Sequence, residues 1–266
     1  MRNELAGRRL AMVVGLSLFA GLASAQIPEK FTNLRVLQKS TSRKDLVQTM
    51  RAWTSALGVR CGHCHTGGDP ETLEGVDFAS DAKWEKRTAR SMFRMVRAVE
   101  ASYLRKIERR PVVAGAPSPT PVSLACITCH HGLARPETLA GVLDRVLKAA
   151  GPEAAVRTYK ELRSQYLGRG SYDFSERQVN TLAERLLQEK RSREAVVLLE
   201  MSAEFNPDAA WQQHLLGEAR LAEGDRPGAL AAFLRALALS PQNELTRKRV
   251  EELRSAAPPR EEESSR

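Results

Sequence analysis

The chain carries the pattern C-x-x-C-H twice, as Cys61-Gly62-His63-Cys64-His65 and Cys126-Ile127-Thr128-Cys129-His130, and these two runs hold all four of its cysteines. This spacing is that of c-type haem attachment. Two thiols add across the haem vinyl groups as thioethers, and the His that follows lies under the iron and supplies its proximal nitrogen. The pattern predicts two covalently attached c-type haems, with Cys61, Cys64, Cys126 and Cys129 as the points of attachment and His65 and His130 as axial ligands. Three other chemistries use paired cysteines. A zinc site would bring two C-x-x-C knuckles about 15–20 residues apart, whereas Cys64 and Cys126 are much further apart, and zinc does not require His directly after both pairs. A thioredoxin-like pair needs a strand–helix setting, and no strand pattern is present. A structural disulfide inside C-x-x-C is strained and easily reduced.

The N-terminus says where such chemistry takes place. Arg2, Arg8 and Arg9 precede an apolar run, Leu10 to Leu22, and Ala23-Ser24-Ala25 is a small-x-small cleavage site. The run is shorter than the roughly 20 residues of a spanning helix. A signal peptide over 1–25, cut after Ala25, and a periplasmic mature protein are expected. No Cys follows the run to carry a lipid. Net charge is +9, concentrated in residues 26–137, where 18 Lys/Arg face 11 Asp/Glu. An exported chain seldom meets nucleic acid, and no nucleic-acid motif is present. The basic excess can steer docking to an acidic redox partner.

Apolar spacing throughout is helical, and the expected fold class is all-α. Ser42 and Asp45 have capping-box spacing. Leu46, Met50, Trp53 and Leu57 line one face of the helix that follows, and Gly58 ends it. A second helix is expected from near Asp81, with Trp84, Thr88, Met92, Met95, Val99 and Tyr103 as its inner face. Pro111, Pro117, Pro119 and Pro121 make a loop that leads to Cys126. Helices follow over 137–149 and 152–167, separated by Gly151-Pro152, and Gly168 to Ser171 read as a flexible joint. Residues 176–243 repeat with a period of 34, pairing Leu182-Ala183 with Leu216-Gly217, Ala195 with Ala229, Leu199 with Phe233 and Pro207 with Pro241. That period with small residues at fixed positions resembles the tetratricopeptide repeat. The expected organisation is a signal peptide (1–25), a diheme cytochrome domain (26–136), linking helices (137–170), tetratricopeptide-like repeats with a cap helix (171–255) and a disordered tail (256–266).

The sixth iron ligand is open from spacing alone. His63 lies inside a motif and His131 directly after one, and His214 falls in the repeats as a surface or helix-packing residue. Met50, Met92 and Met95 stand on helices ahead of the motifs, where Met is more often core filler than ligand.

The runs Asn33-Leu34-Arg35-Val36-Leu37, Thr49-Met50-Arg51 and Leu57 to His65 resemble the cytochrome c subunit of photosynthetic reaction centres. So do Phe78 to Lys83, Ala89 to Met95 and Cys126 to Gly132. The likeness covers roughly 31–136. The family holds four haems as two helix–turn–haem pairs, most of them ligated by a Met from the preceding helix. The resemblance implies Met50 as ligand to the haem on Cys61, Cys64 and His65, and Met92 as ligand to the haem on Cys126, Cys129 and His130, with Met95 as packing. Only one haem pair is present, His131 stands where the family often has Arg, and the repeats lie outside the resemblance.

The expected function is electron transfer by an exported diheme carrier rather than catalysis. Its expected partners are redox proteins, among them a membrane electron-transfer complex, and a protein or peptide at the repeats. Two alternatives use the same residues: a diheme peroxidase-like enzyme with one open iron position, and a haem-based sensor or assembly factor whose repeats are the functional part.

Overall fold

The computed structural model describes residues 27–28, 30–69, 71–106 and 123–255. The expected signal peptide, the loop from Pro111 to Pro121 and the tail 256–266 lie outside the described residues. Among the described residues there are ten α-helices and no strand, with a single isolated antiparallel bridge between Thr66 and Asp77. The fold is all-α. No helix among the described residues is long and apolar enough to cross a membrane. The chain divides into two compact units, one of residues 1–47 with 60–95 and one of residues 48–59 with 96–266.

Helix α1 (Arg43–Leu57) begins where sequence expects. The Ser42 hydroxyl donates to the Asp45 carboxylate at 2.7 Å and accepts the Asp45 amide at 3.1 Å. Helix α2 (Trp84–Ser102) starts three residues later than expected, and its buried face is not the expected one. Trp84, Met95 and Tyr103 are exposed, while Lys86 and Arg90 are buried. The reason is local: the first unit presents a carboxylate and a row of carbonyl oxygens to α2, and cations one turn apart satisfy them. Among the described residues of this unit one apolar residue, Leu46, is buried. So thin an apolar core leaves room for a large apolar cofactor to supply the burial that folding requires.

The second unit is built the opposite way. It holds α3 (Cys126–His130), α4 (Leu139–Ala150), α5 (Pro152–Tyr166), α6 (Glu176–Gln188), α7 (Ser192–Phe205), α8 (Ala210–Ala222), α9 (Arg226–Leu239) and α10 (Glu244–Ser255). Thr138 caps α4 by accepting the Gly141 amide at 3.1 Å, and Pro152 sits in the first turn of α5. Leu143, Tyr159, Val179, Leu182, Leu186 and Leu199 form one continuous core shared by α4 through α8. Each such side chain contributes about 1.5–3 kcal/mol by leaving water. Helices α4 and α5 therefore pack as one more antiparallel pair on the helices that follow.

The sequence period appears as helix spacing. Helices α6 and α8 begin at Glu176 and Ala210, and α7 and α9 at Ser192 and Arg226, both pairs 34 residues apart. Small buried residues, Ala183, Ala195, Ala229 and Ala236, let the helices approach. Helix α10 closes the array: Val250 and Leu253 pack with Ala229 and Phe233, and Arg249 makes a two-point ion pair with Glu218 at 2.6 and 3.0 Å. His214 is packed inside, stacked on Trp211 with ring centroids 4.6 Å apart and hydrogen-bonded to Thr246 at 2.9 Å.

Gly217 marks a close approach of α8 to α9. A Cβ there would lie 2.6 Å from the Phe233 ring. Gly217→Ala should cost about 1–3 kcal/mol through overpacking, read as a lower thermal midpoint by circular dichroism. Phe233→Leu in the same chain should restore part of the loss. An unchanged midpoint in Gly217→Ala would show that α8 and α9 are less tightly packed than this.

Candidate cofactor-attachment sites

At the first motif the chain leaves α1 through Gly58, whose φ is +64°, and turns tightly. Cys61–His63 form one 3₁₀ turn, and the His65 amide donates to the Cys61 carbonyl at 3.1 Å. Cys61, Cys64 and His65 thus share one helical turn, where residues three and four apart face the same way. Lys83 ties the turn down by donating to the Gly62 carbonyl. Directly after His65, the Asp77 amide donates to the Thr66 carbonyl at 2.7 Å, which brings residues 77–81 alongside. Phe78 then meets the His65 ring edge-on, with centroids 5.0 Å apart.

The 77–81 segment is held by charge. Asp81 accepts from Arg90 at 2.8 Å and from Asn33 at 2.8 Å, and pairs with Lys86 at 3.4 Å and Arg35 at 3.3 Å. Lys86 also donates to the carbonyls of Phe78, Ala79 and Ser80 at 2.9, 3.1 and 2.7 Å. Arg90 reaches the Asn33 carbonyl at 3.0 Å. Asn33, Asp81 and Arg90 stand in the runs that carried the family resemblance, and this is their structural work. Lys86 stands outside those runs, and sequence reasoning missed it.

Burial, reinforced by the Lys86 charge, lowers the His65 pKa to about 4, with the Phe78 carbonyl opposing. The imidazole is neutral at physiological pH, the form that offers a metal a lone pair. Its Nδ1 is buried without a hydrogen-bond partner. Burial first, and the Glu85 carboxylate next, push the Cys64 thiol up.

The second motif forms α3, with Cys126, Cys129 and His130 again on one turn. Its entry is fixed by Glu100, which accepts from the Leu124 amide at 3.0 Å and the Ser123 hydroxyl at 3.2 Å. The Thr128 hydroxyl accepts the Ala125 amide at 3.1 Å. His130 is buried, and its Nδ1 donates to the Leu133 carbonyl at 2.7 Å. That bond sets the tautomer and leaves Nε2 as the free ligand nitrogen. His131 turns the chain in the left-handed region at φ 48°. Ser171 donates to its carbonyl at 2.6 Å, and the Gly132 amide donates to Ala56 at 2.9 Å. The Gly168–Ser171 joint is therefore anchored to the motif, a contact without a sequence signal. Burial pushes the Cys126 thiol up.

No disulfide joins any of the four cysteines. The two raised thiols lack the lowered pKa of a reactive redox cysteine. Among the described residues no three of His, Cys, Asp or Glu converge as a metal-binding group. Two thiols and a neutral or tautomer-fixed imidazole on one turn fit covalent haem attachment at both sites. Met50 and Met92 are half-buried, on α1 and α2 respectively, and Met95 is exposed.

Helical fold and paired C-x-x-C-H turns define the class as a c-type cytochrome, in which haem is bound covalently and carries electrons. A sequence model of the photosynthetic reaction centre cytochrome c subunit matches residues 20–196, well over half of the chain, and the chain belongs to that family. The match runs past the 31–136 span of residue-level likeness, through α4 to α6 and into α7. No curated protein sequence matches the chain.

Two substitutions test the site's supports. Arg90 and Lys86 hold the Asp81 carboxyl at about 2, against 3.8 when free. A lowered carboxylate pKa stabilises the fold above the free value and loses that effect as pH falls through the folded one. The contribution should be complete above about pH 4 and gone below about pH 2. Asp81→Asn should flatten the acid limb of a stability–pH curve over that range, and an unaltered limb would show that the ion cluster adds no stability. At Gly58 an added Cβ would meet the Gly132 carbonyl oxygen in a left-handed backbone. Gly58→Ala should cost at least the roughly 1–2 kcal/mol of left-handed strain, read as a lower urea midpoint, while an unshifted midpoint would mean that this approach is relaxed in solution.

Proposed function

We infer that this protein is an exported diheme electron carrier. Cys61, Cys64 and His65 hold one haem and Cys126, Cys129 and His130 the other. Met50 completes the iron at the first motif and Met92 at the second. The observation that carries the reading is the repeated turn itself: two thiols three residues apart with an imidazole next in line, each imidazole in a state that can donate a lone pair. Bound haem supplies a reversible one-electron couple. The chain's own residues would attach it through the paired cysteines and offer the iron one imidazole nitrogen. Met50 and Met92 would supply the thioether ligands, which would suit electron transfer rather than peroxide chemistry.

The signal sequence supports a periplasmic location after cleavage at Ala25. Residues 26–136 are the diheme module and 137–170 its link to the repeats. Tetratricopeptide-like helices over 171–255 are a docking surface for a protein or peptide, bringing the haems to a redox partner such as a membrane electron-transfer complex. The family's photosynthetic setting is not required by any of these residues, since one haem pair alone is sufficient for a carrier.

Protein exported from a host with c-type maturation should contain two acid-stable haems per chain by the pyridine haemochrome assay. Its oxidised spectrum should show the weak red-region band of Met ligation. Met50→Ala and Met92→Ala should each remove about half of that band, because a lost axial Met affects one iron. Two haems without the band would favour an enzyme with an open iron position, and no covalent haem would end the cytochrome reading for this chain.

A further inference from the structure

We propose that Lys86, together with Arg90, sets the reduction potential of the haem at Cys61, Cys64 and His65 and holds it above that of the haem at Cys126, Cys129 and His130. The proposal rests on the diheme reading and adds a direction to it.

Lys86 is linked to His65 through one intervening residue, Phe78. His65 is followed by Thr66, Thr66 is bridged to Asp77, and Phe78 both packs on the His65 ring and offers its carbonyl to Lys86. The Lys86 and Arg90 side chains are only 11% and 10% exposed, against 25% for Asp81, the carboxylate between them. Lys83 is bound to the Gly62 carbonyl inside the motif. Opposing them are Asp77, Asp81 and Glu85. The charges do not cancel at His65, because the most deeply buried ones are cations, and buried charge is the least screened by solvent and salt.

Among the described residues the second motif has a carboxylate at its entrance instead: Glu100, bonded to the Leu124 amide two residues before Cys126, is 19% exposed. Of the cations that act on it, Arg97 and Arg105, Arg97 is 64% exposed at 3.7 Å, so solvent weakens its compensation.

Ferric haem carries one more positive charge than ferrous haem. A fixed buried cation therefore disfavours the ferric form and raises the potential, and a carboxylate lowers it. With that ordering, a single electron would favour the haem held at the first motif. Lys86 is a positioning residue as well, since its three carbonyl bonds hold Phe78 against His65, so the test must separate charge from placement.

The experiment is a spectroelectrochemical titration, with redox mediators, of the full-length, haem-loaded protein and three variants. The parent should show two midpoints. Lys86→Met should lower the upper one by about tenfold in its reduction equilibrium, 59 mV for a one-electron couple, and leave the lower one in place. Lys86→Arg keeps the charge and should leave both midpoints unchanged. Asp81→Asn removes the counter-charge and should raise the upper midpoint, a sign that loosened packing does not produce. Coincident midpoints in the parent, an unmoved upper midpoint in Lys86→Met, or an equal fall in Lys86→Arg would overturn the proposal. If Lys86→Met does not fold, Asp81→Asn decides, because a fall or no change there is fatal. Haem content is measured first: fewer than two haems per chain would overturn the diheme reading itself, a failure distinct from that of the charge assignment.

Discussion

One turn of helix has to present two thiols and an imidazole on the same side, twice, and much of the haem-motif half of the chain serves that requirement. A five-residue turn is too short to hold itself. At the first site the missing stability comes from outside the turn, through Lys83 on the Gly62 carbonyl and the Thr66–Asp77 bridge. At the second it comes from Glu100 at the entrance and from Ser171 and Ala56 on the exit. The supports differ in chemistry because the surroundings differ. Charged side chains and carbonyls surround the first turn. The second is joined to a helical array that is already well packed.

The two units contrast in how they gain stability. The second unit buries Leu, Phe and Tyr side chains against small residues and leaves few charges inside. The first unit encloses Lys86 and Arg90 around Asp81 and buries a single apolar residue among its described residues. Buried charge gives little net stability, since desolvation offsets most of the attraction, but it fixes geometry and field. A unit of that kind suits a site whose apolar bulk arrives with its cofactor and whose side chains serve to position and polarise it.

Patterns that depend on near neighbours were legible in the sequence. The C-x-x-C-H turns, the Ser42–Asp45 cap, the Gly58 stop and the 34-residue helix period all appear in the structure, because each is decided within a turn or by a repeated unit. The inner face expected for α2 was not borne out. Apolar spacing placed Trp84 and Met95 inward, and the structure buries Lys86 and Arg90. A hydrophobic pattern cannot foresee that a loop will turn three carbonyls and a carboxylate toward a helix.

The sequence by itself determined the attachment chemistry, the all-α class and the repeat spacing. A thioether needs its cysteines at a set separation, and a helix needs its apolar residues at a set period. Tertiary structure alone decided which cations lie beside His65, that Ser171 would anchor His131, and that α4 and α5 would share the core of the repeats. The Arg90–Asn33 and Ser171–His131 bonds join residues 57 and 40 positions apart. Contacts at such range are chosen by the packing of whole elements, and one chain's sequence carries no periodic trace of them.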